Sequence, residues 1–424
     1  MEDLQSWLAN DSSYNSNSLV LFTNSSPSLS SSSATTHSAP TLCEDSSFNS
    51  VRSSSSALTY YSYQTAAKPS VSHSCIASIK TTAAQISCLA VHGGLLYAAT
   101  MNEIDVFDLA TLSLVEEFGS GSGWAKSIAF TGGKIFTAHQ DCKIRVWTAP
   151  ISPKLKNHQL ISTLPTLRDR FLNCLSAKNY VKIRRHKQNL WIQHADAVSG
   201  LAVDSDRGEL YSISWDKSFK TWKTSSDMQC IESVGSAHSD AVNAVASSGG
   251  TVYTGSADGK IKVWRASASG DRRKRSLKTT LSKHDSSVNA LALTPDGAGL
   301  ASGGGDGVIL VWERRDDGGD DEEMDFFVAC CLKGHKGAVL SLVCVSDFLI
   351  SGSADRSVRI WKYAKGFGYR GCCVAVMEGH CKPVKSVVAV EDEDLDDQRF
   401  SVISGSLDGE IRVWKVVISD HYSD

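Results

Sequence analysis

The sequence predicts an all-β chain built from one repeated four-stranded unit, and two observations carry that prediction. The first is a fixed interval, an aspartate six residues before a tryptophan. It occurs as Asp141 with Trp147, Asp216 with Trp222, Asp258 with Trp264, Asp306 with Trp312, Asp355 with Trp361 and Asp408 with Trp414. The second is a period. From Trp222 onward the tryptophans lie 42, 48, 49 and 53 residues apart, near the roughly 40–45 residues of a four-stranded propeller blade. The unit is clearest at Thr251–Arg265, TVYTGSADGKIKVWR, where two strand-like runs flank a tight turn at Ala257-Asp258-Gly259.

Upstream of the aspartates stand His194, His238, His284, His335 and His380, the last two after glycine. Two residues before the aspartate a serine recurs, as Ser214, Ser256, Ser353 and Ser406. On these residues the chain from 74 onward resembles the WD-repeat β-propellers. That resemblance implies a hydrogen-bonded chain of His, Ser/Thr, Asp and Trp in each blade. The residue after the tryptophan is Lys, Arg, Glu or Thr and never the eponymous Asp, a departure at a strand end that bears on the surface rather than the fold. His, Ser and Asp also make hydrolytic triads, but a triad occurs once beside an oxyanion site. A set repeated blade after blade reads as a structural device.

Taken in order, residues 1–70 hold 22 serines and few large apolar side chains, so they cannot bury enough surface to offset ordering entropy and are expected to be disordered. Leu4, Trp7 and Leu8 have helical spacing, and Leu19-Val20-Leu21-Phe22 is strand-like. The propeller is expected over 71–424. Following the family's offset between repeat and blade, Cys75–Lys80 should be the outer strand of the last blade, paired with Glu410–Val416, which closes the ring and removes two exposed edges. Blade one, with Ile104–Phe107 as its third strand, lacks the Asp and the Trp. Blade two has Asp141 and Trp147 but no upstream histidine, and His139 stands where serine would be. Blades three, four, six and seven carry the full set, while blade five has Gly304 in place of serine. The expected count is seven blades.

The insertions carry the individuality. A basic insert, 165–193, separates blades two and three with seven Lys/Arg against Asp169. Its position after an outer strand places it on the face of the outer-to-inner connections, which resemblance marks as the partner-binding top. DRRKRSLK (271–278), the acidic stretch 313–325 and EDEDLDD (391–397) fall on the opposite face. Like-charge runs are ordinarily solvated loop tips; Arg272–Arg275 also fits a minimal nuclear import patch.

Composition narrows the classes. The net charge of -3 offers no bulk attraction to nucleic acid or anionic membrane. No apolar run reaches the roughly 18 residues a span needs, and MEDLQSWLAN is acidic, unlike a secretory signal. The 12 cysteines form no CxxC pair and no zinc-spaced set; Cys330-Cys331 and Cys372-Cys373 read as strand residues with one of each pair facing the core. No cofactor is expected. The Gly119–Gly123 and Gly303–Gly305 runs sit in loops and turns rather than before helices, and no kinase motif is present.

The tail, the propeller and the insert around Lys178–Lys182 and Arg184–Lys187 together resemble the plant Jingubang-type WD-repeat family. That implies a scaffold in plant signalling or transcriptional regulation. A non-enzymatic, monomeric protein of the cytoplasm and nucleus is expected. The expected partners are other proteins, acidic or phosphorylated peptides among them, without membrane insertion or direct nucleic-acid binding. The expected site gathers Trp124, Trp191 and Trp215 beside Lys182, Arg184, Arg185 and Lys187, since Trp and Arg dominate interface hot spots. A second reading is a substrate receptor of a cullin-RING ubiquitin ligase: Leu300–Arg315 resembles its docking box, with Glu313 and Arg315 carrying the likeness. A lesser one is RNA or phosphoinositide binding through the basic insert, which would weaken steeply with salt.

Overall fold

A computed structural model of the chain describes residues 70–101, 103–121, 123–150, 158–184, 187–266, 274–315, 324–363, 371–391 and 399–419, without the side chains of 183, 184 and 187. The expectations for residues 1–69, for the acidic run 392–397 and for most of 316–325 lie outside these.

Seven antiparallel four-stranded sheets follow one another along the chain, each ordered from inner to outer strand. Blade four shows the rule: Val242–Ser248, Thr251–Ser256, Ile261–Ala266 and Arg275–Leu281 pair in sequence. The second strand, TVYTGS, is buried along its whole length because both of its faces are covered. The outer strand is buried at its two ends and mostly open between them. Between blades the fit is close. A Cβ on Gly255 would come within 2.6 Å of Val288 in the next blade, so the glycine lets the second strand lie against its neighbour.

The turn between second and third strands needs a left-handed residue, with φ of 75° at Gly259. Cys142, Lys217 and Arg356 occupy the equivalent place in blades two, three and six at φ 67°, 70° and 71°. Glycine is preferred there, and packing imposes the same turn without it.

The ring closes as expected. Ser70–Lys80 is the outer strand of blade seven, pairing antiparallel with Glu410–Ser419 from Ser70 opposite Ser419 to Lys80 opposite Glu410. Blade one consists of Cys88–His92, Leu95–Ala99, Ile104–Asp108 and Leu114–Phe118. It is a complete blade despite its missing signature. Among the described residues, no helix is long and apolar enough to cross a membrane. Cys330 is buried and Cys331 exposed, and Cys373 lies deeper than Cys372, as the strand alternation requires.

Candidate functional site

Each signature set is assembled by one blade. In blade four, Trp264 Nε1 donates to Thr254 Oγ1 at 2.9 Å, and Thr254 Oγ1 lies 2.8 Å from His238 Nε2. His238 Nδ1 faces Asp258 Oδ2 at 3.1 Å. The carboxylate can only accept, so Nδ1 carries the proton and the Thr254 hydroxyl donates to Nε2. Burial alone would raise the Asp258 carboxyl; the His238 ring and the N–H groups of Ser239 and Lys260 outweigh it and hold Asp258 below its ordinary range.

Three more blades repeat this geometry, and they correct the identity of the hydroxyl. The residue between histidine and tryptophan stands four before the aspartate, not two. In blade three, Trp222 donates to Ser212 at 2.9 Å, and His194 lies 3.1 Å from Asp216. In blade six, Trp361 donates to Ser351 at 2.8 Å rather than to the expected Ser353, and His335 lies 2.8 Å from Asp355. In blade seven, Trp414 donates to Ser404 at 2.9 Å rather than to Ser406, and His380 lies 3.3 Å from Asp408. Both indoles also belong to the apolar core. Trp361 packs in a cluster spanning blades five and six, and Trp414 in one spanning blades six and seven.

Ser214, Ser256, Ser353 and Ser406 have another task. Each accepts the N–H of its aspartate and donates to a carbonyl of the preceding loop. Positions two apart on a strand share a face, so spacing alone did not separate the two sets. Gly304 of blade five therefore removes the contacts to the loop carbonyl and to the Asp306 N–H, but not the bridge. Trp312, Ser302 and His284 remain linked, although His284 Nδ1 stands 3.6 Å from Asp306. All five bridging hydroxyls are buried and engaged on both sides. They are poor nucleophiles and good staples.

Blade two builds a variant. Thr137 takes the Trp147 N–H at 2.9 Å and contacts His139 Nε2 at 2.7 Å, so His139, on the same strand, replaces the upstream histidine. Burial first, then the charge of Arg145, pushes His139 down to about 4. Asp141 pairs with Arg145 at 2.7 Å instead.

The basic insert folds into a short helix, Leu167–Cys174, and a hairpin pairing Tyr180–Arg184 with Lys187–Leu190. The helix was not foreseen, yet its start is legible. Thr166 caps it by accepting the Asp169 N–H at 3.0 Å, a Thr-x-x-Asp pattern at a helix entrance. Leu167, Phe171 and Leu175, spaced by four, form a ridge exposed by 82%, 66% and 73%. Leu172 and Val181 are exposed beside it, and so are Arg168, Arg170, Lys178 and Lys182. A pocket of about 810 Å³ lies between the insert and blade two, lined in part by Leu164, Thr166, Arg170 and Lys143. A second, of about 500 Å³, lies toward blade three and is lined in part by Lys182, Trp191, Asp216 and Lys220.

Two of the three tryptophans converge. Lys126 Nζ lies 4.9 Å from the Trp124 ring and 4.5 Å from the Trp215 ring, so the cation is held between two indoles. Trp191 does not join them. Its indole donates to Asn173 Oδ1 at 2.9 Å, and its carbonyl takes the Lys220 ammonium at 2.6 Å, which fixes the insert to blade three. Arg185 and the side chains of Arg184 and Lys187 lie outside the described residues; Lys182 is exposed on the hairpin.

The basic run of blade four divides. Arg275 is buried, with its guanidinium bonded to Glu209, to Glu232 at 3.1 Å and to the Tyr211 hydroxyl at 2.7 Å, all in blade three. It is a structural ion, not part of a surface patch; Lys274 is exposed, and Arg272 and Arg273 lie outside the described residues. Arg315 pairs with Asp325 at 3.2 Å at the exposed end of blade five, and Glu313 is half-buried on the adjoining strand.

Comparison with known proteins matches four segments, 228–265, 275–313, 327–362 and 371–415, to the WD domain, G-beta repeat. The chain is 32% identical over 168 residues to the DENN domain and WD repeat-containing protein SCD1 of Arabidopsis thaliana, a match covering 40% of this chain and 12% of that one. It is 30% identical over 175 residues to small ribosomal subunit protein RACK1y of Oryza sativa subsp. japonica, covering 39% and 44%. A third match, 34% over 139 residues, is to the chromatin assembly factor 1 subunit FAS2 homolog of the same rice, covering 32% and 26%. The chain thus spans less than half the length of each of these relatives.

Proposed function

We propose that this seven-bladed propeller of WD repeats is a non-catalytic scaffold that binds a partner protein on its top face, at the insert between blades two and three. The observation that carries the proposal is the ridge of Leu167, Phe171 and Leu175. Three large apolar side chains on two turns of helix are left in water, while Arg168, Arg170, Lys178 and Lys182 stand open around them. An apolar patch rimmed by charge marks an interaction site more often than a folding feature. The matching chemistry is an acidic or phosphorylated peptide with apolar anchors. Its anchors cover the ridge and its charge meets the basic rim. The stack of Trp124, Lys126 and Trp215 joins the entrance of blade two to the turn of blade three. Two of the relatives are named as subunits of larger assemblies, which agrees with a scaffold. A role in plant signalling or transcriptional regulation follows from the resemblance to the Jingubang-type proteins and is part of this proposal. The proposed compartments are cytosol and nucleus; any import role of the basic run falls to Arg272–Lys274, because Arg275 is buried.

The test isolates partners with the full chain, confirms direct binding, and repeats the measurement with Leu167→Ser/Phe171→Ser/Leu175→Ser and with Arg168→Glu/Arg170→Glu. Losing hot-spot contacts should weaken binding by about 2 kcal/mol or more, roughly 30-fold, at unchanged melting temperature. Partners that bind both variants as tightly as the parent chain refute the site.

A further inference from the structure

We propose that Glu103, Asp105 and Glu117 form a calcium-binding site on blade one. Their carboxylate oxygens all lie within 4.8 Å of one another, although they come from the second turn and the two outer strands of the blade. Acidic neighbours alone would not make a site, but here one of them is sealed in. Asp105 is 3% exposed, and its Oδ1 is buried without a hydrogen-bond partner. Burying a carboxylate with no donor is costly unless a cation joins it.

The other blades show what occupies this position. Asp105 lies two residues before Phe107 and opposite Ala98 and Glu117. The same place is Arg145, Lys220, Lys262, Arg359 and Arg412 in blades two, three, four, six and seven, and Leu310 in blade five. In blade four, Lys262 lies opposite Thr254 and Thr280, and its ammonium reaches the Ala237 carbonyl at 2.6 Å. Five blades supply a cation covalently at this point of the ring. Blade one supplies three carboxylates, the complement of a cation from solution.

All the donors are oxygens, which selects a hard ion. Calcium takes six to eight oxygens in adaptable geometry, whereas magnesium demands near-octahedral positions and keeps its water. The Ser120 hydroxyl, 3.0 Å from Glu103 Oε2, brings the connection into blade two to the edge of the cluster.

The full chain, stripped with EDTA and dialysed free of it, is titrated with calcium chloride and, separately, with magnesium chloride. Heat is read by calorimetry and unfolding by thermal melting. Calcium should bind with measurable heat and raise the melting temperature, and magnesium should do so at least tenfold more weakly. Asp105→Asn should abolish the response. Glu117→Gln, at an exposed position with no part in the core, should weaken calcium tenfold or more while melting like the parent chain without metal. No heat with calcium, an equal response to magnesium, or an undiminished response in Glu117→Gln overturns the site.

Discussion

Blades four and one have the same four strands and opposite interiors. In blade four, Thr254, His238, Asp258 and Trp264 are bonded to one another, and Arg275 is neutralised by Glu209 and Glu232 of blade three. In blade one, Ala98 stands where Thr254 would be and Phe107 where Trp264 would be. Phe107 is buried in an apolar cluster with Leu89, Leu96 and Ile411 that spans blades one and seven. Blade one forms without any of the polar set. The apolar packing between neighbouring sheets therefore makes a blade, and the hydrogen-bonded set pins the turn that carries the aspartate. Blade two, with His139 recruited from its own second strand, lies between these extremes.

The comparison breaks most decisively at the buried ions. Arg275→Met leaves Glu232 without its cation and Glu209 with only the more exposed Arg207, and loss of one partner of a buried pair costs about 3–5 kcal/mol. Urea unfolding of the full chain measures it, and a loss below about 1 kcal/mol would show that water replaces the guanidinium at little cost.

Thr254→Val comes next. It orphans the Trp264 N–H and leaves His238 Nε2 without its donor, for a loss of about 2–4 kcal/mol. Asp258→Ala should cost about 1–3 kcal/mol, whereas Asp141→Ala, where the carboxylate is 33% exposed and serves Arg145, should cost under about 1 kcal/mol. Equal losses for the two aspartates would erase the distinction between blades four and two.

A further effect is one of pH. The folded chain holds His139 near 4, below the unfolded value near 6.5, so the unfolded chain takes up the proton first. The stability tied to neutral His139 is present above pH 6.5 and is lost as pH falls toward 4. Burial lowers His238 as well, against the pull of Asp258, and adds loss in the same direction. His139→Gln should flatten the fall in unfolding free energy between pH 6.5 and 4, by at most about 1.4 kcal/mol per pH unit. An unchanged slope would place the titrating group elsewhere.

The sequence made the ring legible because its signals are local and repeated. The interval from aspartate to tryptophan falls inside one hairpin, and the closing strand follows from the offset of the repeat. Three other features depend on contacts between distant residues. Which hydroxyl bridges histidine and tryptophan is decided by depth in the sheet, since Thr254 and Ser256 share a face, as do Ser351 and Ser353 below Trp361 and Ser404 and Ser406 below Trp414. Arg275 looked like one more charge in a basic run, and Glu209 and Glu232, on another blade, bury it. The indole of Trp191 is held by Asn173, eighteen residues earlier, a contact that spacing does not reveal. The helix of the insert is legible at its start, where Thr166-x-x-Asp169 is a local capping signal.

The closing ladder also has a mechanical meaning. Ser70 lies opposite Ser419, so the two ends of the ring leave the same edge of blade seven side by side. A force that separates these ends loads the ladder at one terminal pair and peels it rung by rung toward Lys80 and Glu410. It does not shear all the rungs at once. The ring is therefore built to open at low tension, from the seam, one blade before any other.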